Sequence, residues 1–468
     1  MTVDRIHGSF RDPSGGVYSV NGRILRTVTE TYAHQFHFVH RTGLLDRLRA
    51  RGWLLPYEFV DDEISSLFPG QGIEHLLEVP RLLFVSHPYE WPFSALKSAA
   101  LLHLDVQVSA LEAGVTLSDA SAYNVQFQGP IPVFIDHLSF RRYEPGEIWT
   151  AHRQFCEQFL LPLLLRALFG ISHNAWYRGN LEGIPLEDFR RLLKWQHCLD
   201  SNLLKHVVLH AWLHQNSKGL EGEFSAVRNV SSALPVAAFR RLLIGLRAWI
   251  QKLTPADSAM STWQDYARTN SYRTDEVHIK RRFVHEFVET ERPKHLWDLG
   301  CNAGDYAKVA LEAGASHVIG FDSDQGALEA CFVRAVDERL AIQPVFLDIA
   351  NPSPNQGWQE SERPGLRGRG HADAVLALAL IHHLVIAKNI PLDQVLDWLI
   401  SLAPLGILEF IPKADPMVQR LLSLREDIFS SYSLETCLAH LETKARIVKT
   451  CHLSSQGRTL VWYERRNQ

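Results

Sequence analysis

Residues 295–324 read HLWDLGCNAGDYAKVALEAGASHVIGFDSD, and this stretch decides the fold of the carboxy-terminal part of the chain. A short apolar run carries Asp298, a turn with Gly300 and Gly304 follows, and a helical stretch begins at once. Glycine in such a turn leaves main-chain N–H groups facing a ligand with no side chain in the way. A second apolar run then closes on Asp322. In an open α/β sheet an acid at that point lies beside the crevice at the strand carboxyl ends, where its two oxygens can accept from a ribose diol.

The pattern continues outward. Residues 295–299, 317–321, 344–348, 373–380 and 405–411 are short apolar or β-branched runs, mostly separated by helical spans. That alternation predicts a parallel sheet covered on both faces. The last part, ARIVKTCHLSSQGRTLVWYERR (445–466), reads instead as two strands joined by a turn at Ser455 to Gly457, an antiparallel hairpin at the sheet edge.

The spacing Asp298-x-Gly300-x-x-x-Gly304 resembles the first motif of class I S-adenosylmethionine-dependent methyltransferases rather than a dinucleotide fingerprint. A sulfonium ligand has no pyrophosphate, so an acid in the turn is tolerable where a phosphate site would repel it. PVFLDIAN (344–351), ADAVLALALIHHL (372–384) and LGILEFIPK (405–413) match the same family in its order, from about Trp263 to Arg466. The resemblance implies a Rossmann-like seven-stranded α/β fold and S-adenosyl-L-methionine as cofactor. It implies donor contacts at Asp298, Gly300, Cys301, Asn302, Gly304, Tyr306, Asp322, Ser323 and Leu378. By the same resemblance Asp348 binds the adenine amino group, with Ile349 beside the ring.

Methyl transfer is an in-line displacement, so the protein's main task is to hold a nucleophile on axis and exclude water. A base is needed only for a hydroxyl or protonated amine acceptor. His382 and His383, after the fourth strand, are the first candidates for the acceptor side; alternation along a strand would turn at most one of them towards it. The alternative has one histidine packing on the cofactor and the other capping the next helix. Glu409 and Lys413, at the end of the fifth strand, are further candidates, with an ion pair or a solvent-facing lysine as the bland reading. Trp263, Tyr266, Tyr272, Arg273 and Lys280 precede the first strand, as a lid over the cofactor or as a docking helix.

The first 252 residues read as a mixed α+β domain that becomes helical, followed by a linker at 253–262 and the methyltransferase-like domain at 263–468. Residues 15–28 form a hairpin about Asn21-Gly22. Residues 32–52 and 93–113 have helical spacing and end near Gly52 and Gly114. Residues 115–140 read as a loop, a strand, a Gly-Pro turn and a second strand. Within them Asp119, Asn124 and Asp136 resemble the catalytic loop and metal-binding acid of kinase-like phosphotransferases, read here as a scaffold without activity; in an active form Asp119 would be the base and Asn124 and Asp136 the magnesium ligands. Ser118 and His137-Leu138 depart from that pattern, and a family-specific substrate domain is the other reading. The whole architecture, with DPSGGVY (12–18) near its start, YNVQF (123–127) six residues before FID (134–136), and the methyltransferase-like part at its end, resembles bacterial nodulation-related methyltransferases.

His206, His210 and His214 recur at metal-ligand spacing, but no acid or cysteine joins the series, so a packing face is expected and no metal is assigned. His34, His37 and His40 form a weaker set. A formal net charge of -4 disfavours nucleic acid as a partner. The six scattered cysteines read as reduced thiols, and without a leader-like head or a membrane-length apolar run a cytoplasmic protein is expected. The function expected is methylation of O or N on a small molecule, glycan or natural-product intermediate. A protein or peptide modifier, or a cofactor-binding scaffold without turnover, are the alternatives; oligomeric state is not readable from the sequence.

Overall fold

The computed structural model describes residues 3–147, 149–209, 235–257, 274–423, 425–453 and 457–466. The amino-terminal lobe opens with β1 (Val3–Arg5), β2 (Val17–Val20) and β3 (Arg23–Thr29), the last two joined by the expected Asn21-Gly22 turn. With β4 (Glu58–Phe59) and β5 (Ile73–Val79) they form an antiparallel sheet in the order β1-β2-β3-β5-β4. The stretch expected as one helix over 32–52 is two, Glu30–Arg41 and Leu44–Ala50. Gly43 divides them at φ 67°, a left-handed conformation that ends a helical run at little cost only in glycine.

The helix Phe93–Glu112 follows, largely buried, and then β6 (Val115–Leu117), β7 (Val125–Gln128), β8 (Ile131–Phe134) and β9 (Phe140–Arg142). The sequence reading made 115–117 a loop. Three residues are too few for a period to register, and this strand exists because it pairs with β9. Helices Leu161–Phe169 and Val236–Lys252 close the lobe around a core that includes Phe134, Phe155, Phe159, Leu164 and Leu246.

The carboxy-terminal domain holds β10 (His295–Leu299), β11 (His317–Asp322), β12 (Ile342–Phe346), β13 (Ala374–Ala377), β14 (Leu405–Phe410), β15 (Ala445–His452) and β16 (Thr459–Arg465). They form one seven-stranded sheet in the order β12-β11-β10-β13-β14-β16-β15. β10 to β14 run parallel, and β16 lies antiparallel between β14 and β15. Alternate residues serve opposite faces. Trp297, Leu299 and Phe321 enter one apolar cluster, whereas Leu296, Val318 and Leu376 enter another. This strand order, with helices on both faces and a reversed β16, is the class I methyltransferase topology.

The two parts pack against each other along the β12 side. Phe84 of the lobe meets Trp297 and Phe321 edge-on at 5.8 and 5.5 Å. Phe332, from helix Gln325–Asp337, sits in the lobe's core. Arg369 and Glu90 form a buried bidentate ion pair. Among the described residues no helix is long and apolar enough to cross a membrane.

Candidate active site

The glycine turn lies where β10 ends. Gly300 (φ 80°), Asn302 (φ 50°) and Gly304 (φ 77°) all adopt positive φ, and a Cβ on Gly304 would come within 2.8 Å of the Cys331 sulfur. The turn is tied to the next strand: the N–H groups of Gly300 and Cys301 donate to the Phe321 carbonyl. That of Asn302 donates to Asp322 Oδ2 at 2.8 Å, while Asp324 N–H donates to Oδ1 at 2.9 Å. Burial pushes the Asp322 carboxyl up, and these N–H donors oppose the shift.

Asp298 is 2% exposed, and its Oδ2 has no hydrogen-bond partner among the described residues. Burial pushes this carboxyl up to about 7, against the pull of Lys280. The ammonium of Lys280 is 2.6 Å from Glu409 Oε2 and lies over the Tyr306 ring at 4.7 Å. Helix Thr274–Glu291 thus carries Lys280 across the carboxyl ends of β10 and β14.

The other expected donor contacts divide. Ser323 is exposed and Leu378 is buried within the core cluster below the sheet. Cys301 is in that cluster as well, its thiol beside Cys331, so it meets the turn through its backbone. Asp348 and Ile349 are half-buried just beyond β12, with Ala350 N–H donating to Asp348 Oδ1 at 3.0 Å. Beside Asp348 opens a cleft of about 160 Å³. Its other wall comes from the amino-terminal lobe, from Tyr89, Asn174 and Arg178. The sequence reading singled out none of these three; no spacing or period links them to Asp348.

His382 and His383 are not on a strand. They open a helical turn at His383–Ala387, so strand alternation does not sort them, and their ring centroids are 4.1 Å apart. His382 makes no side-chain cap to that turn. It is 2% exposed, and burial, aided by His383, Arg458 and Lys280, pushes its imidazole down to about 3. His383 is exposed. Just before them Ala379 holds φ 52°, a strained conformation for a residue with a Cβ and one that concentrates at functional sites. Glu409 and Lys413 both follow the ion-pair reading: Glu409 with Lys280, and Lys413 with Asp427 at 2.7 Å. Of the five residues named before the first strand, Lys280 alone is described; Trp263, Tyr266, Tyr272 and Arg273 lie outside the described residues, as do residues 258–262 of the linker.

In the amino-terminal lobe the loop between β6 and β7 and the end of β8 bring the three phosphotransferase-like residues together. Asn124 Nδ2 donates to Asp119 Oδ1 at 3.1 Å, Ser139 Oγ donates to the same oxygen at 2.6 Å, and Arg26 of β3 pairs with Asp136. Burial, with Asp136 nearby, pushes the Asp119 carboxyl up. His206 is buried with its ring stacked on His152, a packing role; His210 and His214 lie outside the described residues. His37 meets His75, not His34 or His40, at 2.6 Å between Nε2 atoms.

No family model matches the sequence. A curated relative does: the nodulation protein NoeA of Rhizobium meliloti (strain 1021) is 46% identical over 461 residues, spanning 98% of this chain and 96% of the relative. The chain belongs to the NoeA family of nodulation proteins. Among solved structures, magnesium protoporphyrin IX methyltransferase from Synechocystis PCC 6803 with bound SAH is 17% identical, with a TM-score of 0.32 over 45% of this chain and 95% of that one. N-methyltransferase NodS from Bradyrhizobium japonicum WM9 is 11% identical, with a TM-score of 0.31 over 44% of this chain and 100% of that one. Scores this low decide nothing; the fold assignment for this NoeA-family chain rests on its own sheet order.

Proposed function

We propose that the chain is an S-adenosylmethionine-dependent methyltransferase acting on O or N of a small molecule, a glycan or a natural-product intermediate. The observation that supports this most is the meeting of three acids, Asp298, Asp322 and Asp348, with the positive-φ turn at the carboxyl ends of adjacent strands β10, β11 and β12. The residues fit the donor. Asp298 has a buried oxygen without a partner among the described residues, suited to a cationic group. Each Asp322 oxygen already accepts one N–H and has capacity for a ribose hydroxyl. When bound, S-adenosylmethionine supplies a methyl group activated by its sulfonium.

This chain's residues then hold and orient. Glu409 is committed to Lys280 and Lys413 to Asp427, so neither is the proton acceptor. His382, neutral down to about 3, is too weak a base to serve near neutral pH and instead positions its neighbour. His383, exposed beside it although burial of part of its ring lowers its imidazole too, is the proton acceptor we assign for a hydroxyl or ammonium substrate. Calorimetry with S-adenosylmethionine and S-adenosylhomocysteine tests the donor site, and absence of binding by both would sink it. A comparison of metabolites with and without the protein then reads the acceptor class.

A second reading concerns the amino-terminal lobe. The order β1-β2-β3-β5-β4, a helix directly after β3, and the grouping of Asp119, Asn124 and Asp136 with Arg26 support a kinase-like scaffold. The carboxylate of Asp119 is already held by Asn124 and Ser139, which favours a scaffold without phosphotransfer. Absence of magnesium-dependent ATP binding would agree with the inactive form of this reading, and magnesium-dependent phosphotransfer or hydrolysis of ATP would overturn it.

A further inference from the structure

The cleft beside Asp348 has a floor from one part of the chain and a wall from the other. Phe346, Leu347 and Asp348 come from the end of β12; Tyr89, Asn174 and Arg178 come from the amino-terminal lobe. At about 160 Å³ it is smaller than a site for a whole drug-sized ligand and is of a size for one end of such a molecule, with apolar surface from Phe346 and Leu347 beside polar side chains.

We propose that the amino-terminal lobe forms the outer wall of the adenine end of the donor pocket, through Tyr89, Asn174 and Arg178, so that the methyl donor is held between the two parts of the chain. This rests on the donor reading given above.

Three observations support it. The lobe grips the start of the helix that follows the ribose acid: Gln325, three residues after Asp322, donates through Nε2 to Asn174 Oδ1 at 2.7 Å and accepts from Arg166 at 3.0 Å. Arg178 reaches the loop after Asp348, donating to the Asn351 carbonyl at 3.1 Å, which brings its planar guanidinium, a group able to stack on a flat ring, to the cleft. Tyr89, also in the lining, keeps a buried hydroxyl without a partner among the described residues.

The chemistry selects a neutral heteroaromatic. Asp348 is an acceptor for an exocyclic amino group, and Arg369 already neutralises Glu90 in the lining. The remaining charges of the lining, Arg178 and Asp348, cancel, so the cleft suits an uncharged ring. An adenosine without phosphates satisfies both conditions.

The test uses the full chain with S-adenosylhomocysteine and with 5′-methylthioadenosine, which keeps the adenine and ribose and lacks the amino-acid arm. Ala175 lines the cleft and is exposed, so Ala175→Trp fills the space without a buried partner to disturb; Arg178→Ala removes the guanidinium. Both variants are expected to melt like the unsubstituted chain and to bind both ligands at least about tenfold more weakly. Binding of both ligands by the unsubstituted chain and undiminished binding by both variants overturns this proposal alone. Failure of the unsubstituted chain to bind either ligand sinks the donor reading and this proposal with it. Loss for S-adenosylhomocysteine with 5′-methylthioadenosine unaffected puts the wall at the amino-acid arm and overturns the adenine assignment.

Discussion

Glu90 and Arg369 are each 1% exposed and meet through two hydrogen bonds of 2.5 and 2.7 Å, one residue from each part of the chain. Burial alone would raise the Glu90 carboxyl, but the guanidinium outweighs it and holds the group below the usual carboxylate range. Removing one partner strands a buried charge, which costs about 3–5 kcal/mol. Arg369→Met is therefore expected to lower stability by that amount in denaturant unfolding. Joint replacement by Glu90→Leu and Arg369→Met should recover most of the loss.

Asp322 is the acid whose removal should cost donor binding most directly. Asp322→Ala deletes the acceptor for the ribose and also releases the N–H groups of Asn302 and Asp324 that hold the turn. Calorimetry should show S-adenosylhomocysteine binding abolished. Unchanged affinity would mean that the pocket has been placed in the wrong register.

Donor binding should depend on pH through Asp298. Its carboxyl sits at about 7 because burial disfavours the charge, so near neutrality it is partly protonated. A cationic ligand favours the carboxylate, so binding releases a proton. Affinity for S-adenosylmethionine should rise as pH increases from 6 to 8 and then level off, and Asp298→Asn should flatten the profile. Titrations in buffers of different ionisation enthalpy would read the released proton.

Two ion pairs near the strand ends differ in burial and should differ in worth. Lys280 and Glu409 are 2% and 0% exposed, whereas Lys413 and Asp427 are 28% and 45% exposed. Lys280→Met should destabilise by about 3–5 kcal/mol, Lys413→Ala by about 1 kcal/mol or less. Unfolding curves of the two variants check the contrast.

Acid should weaken the amino-terminal lobe through His103 and His137, both pushed down to about 3 by burial. Above pH 6.5 each is neutral folded or unfolded. Below it the unfolded chain takes up a proton that the native chain refuses, so stability is lost progressively until about pH 3. At pH 5 the loss is about 2 kcal/mol for each histidine. His103→Leu should reduce the difference in unfolding free energy between pH 7 and pH 5.

The sheet was legible because its evidence is local. The runs at 295–299, 317–321 and 405–411 fall within a residue of β10, β11 and β14, and the turn after β10 has the backbone its glycines implied. What escaped depends on distance along the chain. Glu409 and Lys280 are 129 residues apart, and Asn174 and Gln325 are 151 apart, so no window of sequence contains either relationship. The strand alternation applied to His382 and His383 failed for another reason: an apolar run that continues past Ala377 conceals where the strand stops and the helical turn begins.

The position of β16 bears on the order of assembly. β15 precedes it in the chain, yet β16 is the strand that pairs with β14. During synthesis β15 therefore emerges with no neighbour, and the β14 edge stays bare until the following segment has cleared the ribosome. The amino-terminal lobe, whose own sheet closes with β5, can gather its core long before then. A nascent chain halted ahead of β16 would expose a hydrophobic strand edge, the state most open to aggregation and to chaperone capture.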